Sequence, residues 1–139
     1  MIDKINYQLV FGEFLFIVIT WGVLMYWWLR SYKIIDIISA VPIQAEVKQG
    51  TDLEYLLDYC KYTDVIPSVS RKFVDGIIYA VPSSGVGLKK GCGKMVLSIP
   101  VPKTLPIGVY HLETSLDYKV NLIRVINKEY STEKFTVVK

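Results

Sequence analysis

The sequence predicts an all-β, antiparallel sandwich preceded by one N-terminal transmembrane helix. Two observations support this prediction. The segment 9–29 contains one charged residue, Glu13, in 21 positions. After Ser31 the chain shows short alternating stretches separated by proline, glycine and asparagine, which is typical of antiparallel strands. The expected organisation is a short cytoplasmic N-terminus at 1–8, a transmembrane helix at 9–30 and a β-sandwich domain at 31–139.

The apolar segment is long enough to cross a bilayer. At about 1.5 Å per residue its 21 residues span roughly 31 Å, close to the hydrocarbon thickness. Trp27 and Trp28 match an interfacial aromatic belt, and Arg30 and Lys33 follow within reach of lipid head groups. A core helix is disfavoured because a domain of about 110 residues could not easily enclose it. A cleaved signal peptide is disfavoured because the run is long and no small-residue cleavage site follows promptly.

Glu13 and the flanking charges leave two questions open. Glu13 is either a simple interfacial carboxylate or an intramembrane group that contacts a partner. Lys4 precedes the segment whereas Arg30 and Lys33 follow it, so the positive-inside rule alone would keep the C-terminal part in the cytoplasm. Because long domains cross membranes largely regardless of such charges, we expect the β-domain to be extracytoplasmic.

Seven or so strands are expected after the helix. In the stretch 110–116, apolar residues and Thr114 alternate with polar residues after a turn at 106–108. The segment 52–62 fits a strand or a helix, because its leucines also recur at helical spacing, and the surrounding strands favour a strand. The other expected strands are 33–38, 43–48, 76–81, 95–99, 119–126 and 134–138, with turns at 49–50, 82–85 and 127–129.

The chain has two cysteines, Cys60 and Cys92, and one histidine, His111. A metal site usually needs three or four ligands, so no metal is expected, and a C-x-x-C redox pair is absent from the sequence. A structural disulfide and two unlinked buried thiols remain as alternatives. We expect the disulfide, because an exported domain lies where such bonds persist.

Catalytic chemistry and cofactors are not expected. His111 falls on the polar side of its strand, where an exposed surface histidine is expected. The stretch GVGLKKGCGK, residues 85–94, lacks the order of a phosphate-binding loop and the helix that follows one. It is expected to be a flexible hairpin loop.

One stretch resembles a known fold family. LPIGVYHL, residues 105–112, resembles the turn-Gly-x-Tyr element of immunoglobulin-like domains, in which a tyrosine near the start of a late strand bonds to an upstream corner. The resemblance implies that the sandwich is immunoglobulin-like and that Gly108 and Tyr110 form a tyrosine-corner-like element. It also implies that Cys60 and Cys92 are the inter-strand pair. The chain departs from an antibody domain at Leu112, where that family has a cysteine two residues after the tyrosine.

The C-terminal stretch LDYKVNLIRVINKEYSTEKFTVV, residues 116–138, looks like the ends of small single-pass proteins common among uncharacterised phage proteins. The matching features are Tyr118 with Asn121, Arg124, and Phe135 with Val137 in the last strand. This resemblance implies a viral or mobile-element source, with the β-domain in a host envelope or a virion membrane.

Two functions are expected from these features. The first is a membrane-anchored interaction or structural module that contacts the lipid bilayer and a protein partner of unknown identity. The alternative is an envelope effector, such as a superinfection-exclusion or lysis-accessory protein, that acts through its helix. The net charge of +3 is mild and its charges are scattered, so no nucleic-acid partner is expected. A homo-oligomer is kept as an alternative to a single copy, and an enzyme is not expected.

Overall fold

The computed structural model describes residues 7–82 and 87–139. Over these two ranges the chain forms one helix and nine strands. The predicted cytoplasmic segment 1–8 lies outside the described residues except for its last two positions, which are helical. The elements are α1 (Tyr7–Leu29), β1 (Ile35–Pro42), β2 (Glu46–Lys48), β3 (Asp52–Lys61), β4 (Ser68–Asp75), β5 (Ile77–Val81), β6 (Gly91–Pro100), β7 (Gly108–Lys119), β8 (Val125–Ser131) and β9 (Phe135–Val138).

Helix α1 is apolar, and its side chains are exposed from Val10 to Leu29. Its stretch Val10–Leu29 has a mean hydropathy of 1.7, and none of it is buried within the protein. Thr20 does not interrupt this surface, because its hydroxyl donates a hydrogen bond to the Phe16 carbonyl within the helix, at 2.8 Å. A helix buried in a soluble core would be covered on at least one side. This helix is long and apolar enough to cross a membrane, as predicted.

The β-strands form two sheets. The first sheet is antiparallel, with three strands in the order β1-β3-β6. The second has six strands: β2-β9-β7-β4-β5 lie along one path, and β8 also pairs with β7. Strands β2 and β9 are parallel, whereas the other pairs are antiparallel. The prediction of an antiparallel β structure is therefore confirmed for every pair but one.

Strands β8 and β9 occupy one side of β7 in succession. β8 pairs with residues 113–119 of β7, and β9 pairs with residues 108–110. Between them, Thr132 satisfies both backbone groups of Leu112: its hydroxyl accepts from the Leu112 N–H at 3.0 Å, and its own N–H donates to the Leu112 carbonyl at 2.9 Å. A side chain thus replaces part of the ladder where the strand breaks, and no buried backbone group of Leu112 is lost.

Buried residues of both sheets form one hydrophobic cluster. In β7 the alternation is complete from Tyr110 to Tyr118, with every second residue buried. The sequence also predicts that six residues of the C-terminal strands belong to the core: Tyr110, Leu112, Leu116, Val120, Phe135 and Val137. Of these, Val120 is only partly buried against the cluster. The others are buried as predicted: Tyr110, Leu112, Leu116, Phe135 and Val137.

The predicted strand at 119–126 and the predicted turn at 127–129 are wrong. The chain turns at residues 120–124, where the Val120 N–H donates to the Arg124 carbonyl at 3.1 Å. The Asn121 side chain accepts from the Ile123 N–H at 3.0 Å, which favours a turn over an extended backbone. Asn127 lies inside β8, and its amide reaches across to Asp117 of β7 at 2.7 Å. The turn was not predicted because the apolar residues of this stretch resemble those of a strand. The bond from Asn127 to Asp117 of β7 keeps that asparagine within β8.

Three further differences concern single segments. Strand β4 was not predicted, because Arg71 occupies one of its inward positions and interrupts the apolar alternation. The helical alternative for 52–62 is wrong, since β3 pairs with a strand on each side. The predicted loop at 85–94 is wrong from Gly91 onward, where β6 begins; its first two residues, and the predicted turn residues 83–85, lie outside the described ranges.

Candidate functional site at the helix–domain junction

A short connection joins helix and β-domain. Residues 30–34 link α1 to β1, and the Arg30 N–H still donates to the Tyr26 carbonyl at 2.9 Å. Ile34, the last residue before β1, is fully buried in the domain core. The domain core therefore begins within a few residues of the helix end.

Arg124 binds the end of α1 from the turn between β7 and β8. Its Nη1 donates to the carbonyls of Trp28 and Arg30, each at 2.6 Å, although these residues are 96 and 94 positions away in sequence. The last carbonyls of a helix have no intrahelical partner and carry the negative end of the helix dipole. A guanidinium with several donors in one plane satisfies both carbonyls at once. This contact fixes the helix end to the β-domain.

Tyr32 lies beside the two arginines of the junction. The Arg30 guanidinium carbon is 5.5 Å from the centre of the Tyr32 ring, and that of Arg124 is 5.8 Å away. Both distances permit a cation–π contact. The ring therefore lies within reach of both positive charges and adds to the contact that Arg124 makes.

A second polar group secures the start of β1 to the end of β3. Lys33 Nζ is 3.2 Å from Asp36 Oδ2 and 4.4 Å from the Tyr62 ring centre, and the Tyr62 hydroxyl donates to the same carboxylate at 3.1 Å. The bonds from Tyr62 and Asp36 raise the pKa of Lys33. The bonds from Lys33 and Tyr62 lower the pKa of Asp36. The cluster is exposed, so it orients the linker more than it stabilises the fold.

The structure brings the predicted interface residues together at one end of the helix. Trp27 and Trp28 are exposed on the last turn, and Arg30 and Lys33 follow in the linker. Glu13 is exposed near the opposite end, about 22 Å from Trp28 along the helix axis. Their roles at a lipid surface stay predictions. Sequence reasoning missed the contribution of Arg124 to this site, as well as Tyr32, Asp36 and Tyr62.

Cys60 and Cys92 form a disulfide, as predicted. They are directly opposite each other in β3 and β6, with Cα atoms 3.9 Å apart. The bond therefore joins neighbouring strands of one sheet, whereas the pair of an antibody domain joins two sheets. Beside it, the buried Lys61 ammonium donates to the Leu88 carbonyl at 3.0 Å, and its burial lowers the pKa of Lys61.

Gly108 and Tyr110 lie at the start of β7. The Tyr110 hydroxyl donates to the Pro106 carbonyl, four residues upstream, at 3.0 Å. A Cβ atom at position 108 would lie 2.9 Å from Asp75 Oδ2 and 3.3 Å from the Tyr110 ring, so glycine lets the turn approach both groups. Burial raises the pKa of Tyr110. The hydroxyl therefore stays protonated and can donate this bond.

A separate concavity of about 570 Å³ lies over β4, β5, β7 and β8. Lys72 Nζ is 2.9 Å from Glu113 Oε2, and His111 Nε2 is 3.1 Å from the other oxygen of that carboxylate. The bonds from Lys72 and His111 lower the pKa of Glu113, and Glu113 raises that of Lys72. His111 is half-buried, whereas the sequence predicts an exposed histidine.

Among the described residues no group of His, Cys, Asp and Glu is arranged to hold a metal ion.

Comparison with protein-family models finds no match for this chain. A search of curated proteins finds no match either.

Proposed function

We propose that the protein is a membrane-anchored module that holds its β-domain at the bilayer surface for contact with a protein partner. The observation that carries the proposal is the contact of Arg124 with the carbonyls of Trp28 and Arg30. A helix that only targeted the chain would need no tertiary contact with the domain. Here a residue from the far end of the sequence secures the helix end, as expected of a permanent anchor with a defined orientation.

We further propose that the β-domain is immunoglobulin-like and extracytoplasmic. The strand order, the parallel pairing of β2 with β9 and the bond from Tyr110 to Pro106 support the fold. The disulfide between Cys60 and Cys92 supports a location outside the cytoplasm, where such bonds persist. Its placement within one sheet departs from the antibody pattern. The proposal of a phage source rests on the resemblance of residues 116–138 alone.

The partner would bind most readily at a sheet edge. Within the described residues, β6 pairs only with β3, and β5 pairs only with β4. Ile77 and Ile78 of β5 are exposed, as is Val96 of β6. An edge with unpaired backbone groups and apolar side chains can accept a strand from another protein. These edges are the surfaces through which the module would act.

An envelope effector acting through α1 is the second candidate function. Glu13 supports it, because an exposed carboxylate in an otherwise apolar helix is costly in lipid unless it contacts a polar group or reaches the interface. In this case the helix would carry the specificity and the β-domain would orient it.

One experiment separates the two functions. The full chain and its variants are expressed at equal levels, membranes are washed with carbonate, and the partner is captured by in-cell cross-linking. The anchored-module proposal expects the partner to be retained in Glu13→Gln and lost in Ile78→Lys, with both variants in the membrane fraction. The opposite pattern supports the effector. Release of the intact chain by carbonate contradicts both.

Topology is tested separately with a reporter fused after Lys139. The proposal expects activity only from an extracytoplasmic reporter. It also expects Cys60 and Cys92 to resist maleimide in the denatured, unreduced protein. A cytoplasmic reporter signal, or labelling of both thiols, contradicts the proposed location.

A further inference from the structure

The turn between β7 and β8 is an ordered tip with apolar side chains. Its backbone is closed by the bond from the Val120 N–H to the Arg124 carbonyl, at 3.1 Å. Asn121 accepts a further bond from the Ile123 N–H, at 3.0 Å. Between these bonds lies Leu122, which is 83% exposed, followed by Ile123, which is 46% exposed. The turn therefore presents two large apolar side chains that the β-domain does not cover.

Such a tip is unusual for a protein surface in water. Tight turns are dominated by glycine, proline, asparagine, aspartate and serine, because these residues suit the backbone and the solvent. Leu122 and Ile123 contribute no turn chemistry, since the Asn121 side chain supplies it. Val125, the first residue of β8, is also exposed. Several exposed apolar side chains within four residues of one tip indicate a contact with another apolar phase or molecule.

The position of the tip indicates which phase that is. Arg124 follows Ile123 directly and binds the carbonyls of Trp28 and Arg30 at the end of α1. Two residues of extended chain span at most about 7 Å, so Leu122 lies close to the residue that contacts the helix end. The exposed ring of Trp28 belongs at the level where hydrocarbon meets head groups. The tip is therefore adjacent to the surface of the bilayer that the helix would cross.

The charges around the tip suit a lipid head-group region. Lys119 precedes the turn and Arg124 ends it, while Arg30 and Lys33 lie in the adjoining linker. Asp36 is the carboxylate at the junction, and it is already paired with Lys33 at 3.2 Å. Basic side chains beside apolar ones are the usual composition of segments that rest in a membrane interface.

We propose that Leu122 and Ile123 insert into the interfacial region of the bilayer beside α1, giving the β-domain a second membrane contact. The inference rests on the proposed membrane anchoring of α1. Arg124 joins the two contacts, because the same side chain that follows the tip holds the helix end. The domain then stands on the bilayer in one orientation, which leaves the edges of β5 and β6 in a constant position for a partner.

The test uses the full chain reconstituted as single copies in nanodiscs, in phosphatidylcholine with and without a minority of phosphatidylglycerol. A nitroxide is attached through a ketone-bearing amino acid at position 122, which leaves the disulfide untouched. Power-saturation electron paramagnetic resonance compares collisions with oxygen and with a water-soluble nickel chelate. The matched control places the label at position 107: Ile107 is also apolar and is 59% exposed, but it adjoins the other end of β7.

The expected result is an oxygen-to-chelate ratio several-fold higher at position 122 than at position 107, in both lipid mixtures. A water-like ratio at 122 overturns the proposal, and so does a lipid-like ratio at 107, which would mean that the whole domain lies in the membrane. Protection of position 122 from both reagents indicates a protein contact and also overturns it. Flotation of the carbonate-washed chain with vesicles is the separate check: loss of flotation refutes the anchor itself.

A second variant tests the native side chains. The label is moved to Val125, and Leu122 and Ile123 are both replaced by asparagine. The proposal expects the oxygen-to-chelate ratio at 125 to fall to the water-like value, whereas Ile107→Asn leaves it unchanged. An unchanged ratio in the double variant shows that the tip does not hold the domain against the lipid. A far-UV circular dichroism spectrum that matches the parent confirms that each variant has folded.

Discussion

The two sheets of the β-domain are stabilised in different ways. The first sheet has three strands, and a covalent bond joins Cys60 of β3 to Cys92 of β6. The second sheet has six strands, and β7 at its centre is paired on both sides. Its specific contacts are noncovalent: the hydroxyl bond of Tyr110 and the ion pair of Lys72 with Glu113. A narrow sheet has fewer neighbours per strand, so a cross-link replaces cooperative pairing that the wider sheet supplies by itself.

Because the two sheets share one hydrophobic core, loss of a core side chain is expected to destabilise the domain equally in either sheet. Leu57 of β3 and Leu112 of β7 are both fully buried, one in each sheet. Leu57→Ala and Leu112→Ala are each expected to lower the free energy of unfolding by about 3 kcal/mol, because each removes buried methyl groups and leaves a cavity. Denaturant unfolding of the reconstituted chain measures both. A loss confined to one variant would mean that the sheets do not share one core.

Loss of the disulfide is expected to affect the first sheet almost as strongly. The bond closes a loop of 32 positions, and in the chain-entropy model its removal costs up to about 3.7 kcal/mol. Cys60→Ser and Cys92→Ser should therefore lower the melting temperature equally, and reduction of the parent should do the same. The double variant should be no worse than either single one. A double variant that is clearly less stable would show that each cysteine also contributes separately.

In the second sheet, phenylalanine substitutions at two tyrosines of β7 are expected to change the stability by smaller amounts, and only one of them should lower it. Tyr110→Phe removes the bond to Pro106 and is expected to cost about 1 kcal/mol, as for an ordinary hydrogen bond. Tyr118→Phe is the matched control, because the buried Tyr118 hydroxyl has no hydrogen-bond partner in the described part of the chain. That burial raises the pKa of Tyr118 to about 12. The control is expected to be neutral or stabilising, and an equal loss in both variants would show that the corner bond has no special role.

The smallest expected effect is the pH dependence of the ion pair that joins Lys72 of β4 to Glu113 of β7. Lys72 and then His111 lower the pKa of Glu113 below its ordinary value of 4.5. The carboxylate therefore stabilises the fold above that ordinary value, and this contribution is lost as the pH falls through the lowered pKa. Glu113→Gln should flatten the acid limb of the stability profile slightly. Lys72→Met should remove much of the same contribution, and the double variant should resemble Glu113→Gln.

Local patterns were sufficient for some elements and insufficient for others. Helix α1 was predictable because apolar length is a property of consecutive residues. Strand β7 was predictable for a similar reason, since burial of one face imposes a period of two. Strand β4 was missed because buried Arg71 breaks that period. The turn at 120–124 was missed because Leu122 and Ile123 resemble strand residues; Asn121 was the only local signal for it.

By itself, the sequence determined the apolar helix, the β class and most strand positions, and it favoured a disulfide over two unlinked cysteines. The tertiary structure decided how strands β8 and β9 share β7, and that the disulfide lies within one sheet. It also decided that Arg124 contacts the Trp28 carbonyl at the end of α1, 96 positions away. Consecutive residues set periodicity and length, which a sequence displays directly. Contacts between distant segments depend on how the whole chain packs, and no local pattern contains that information.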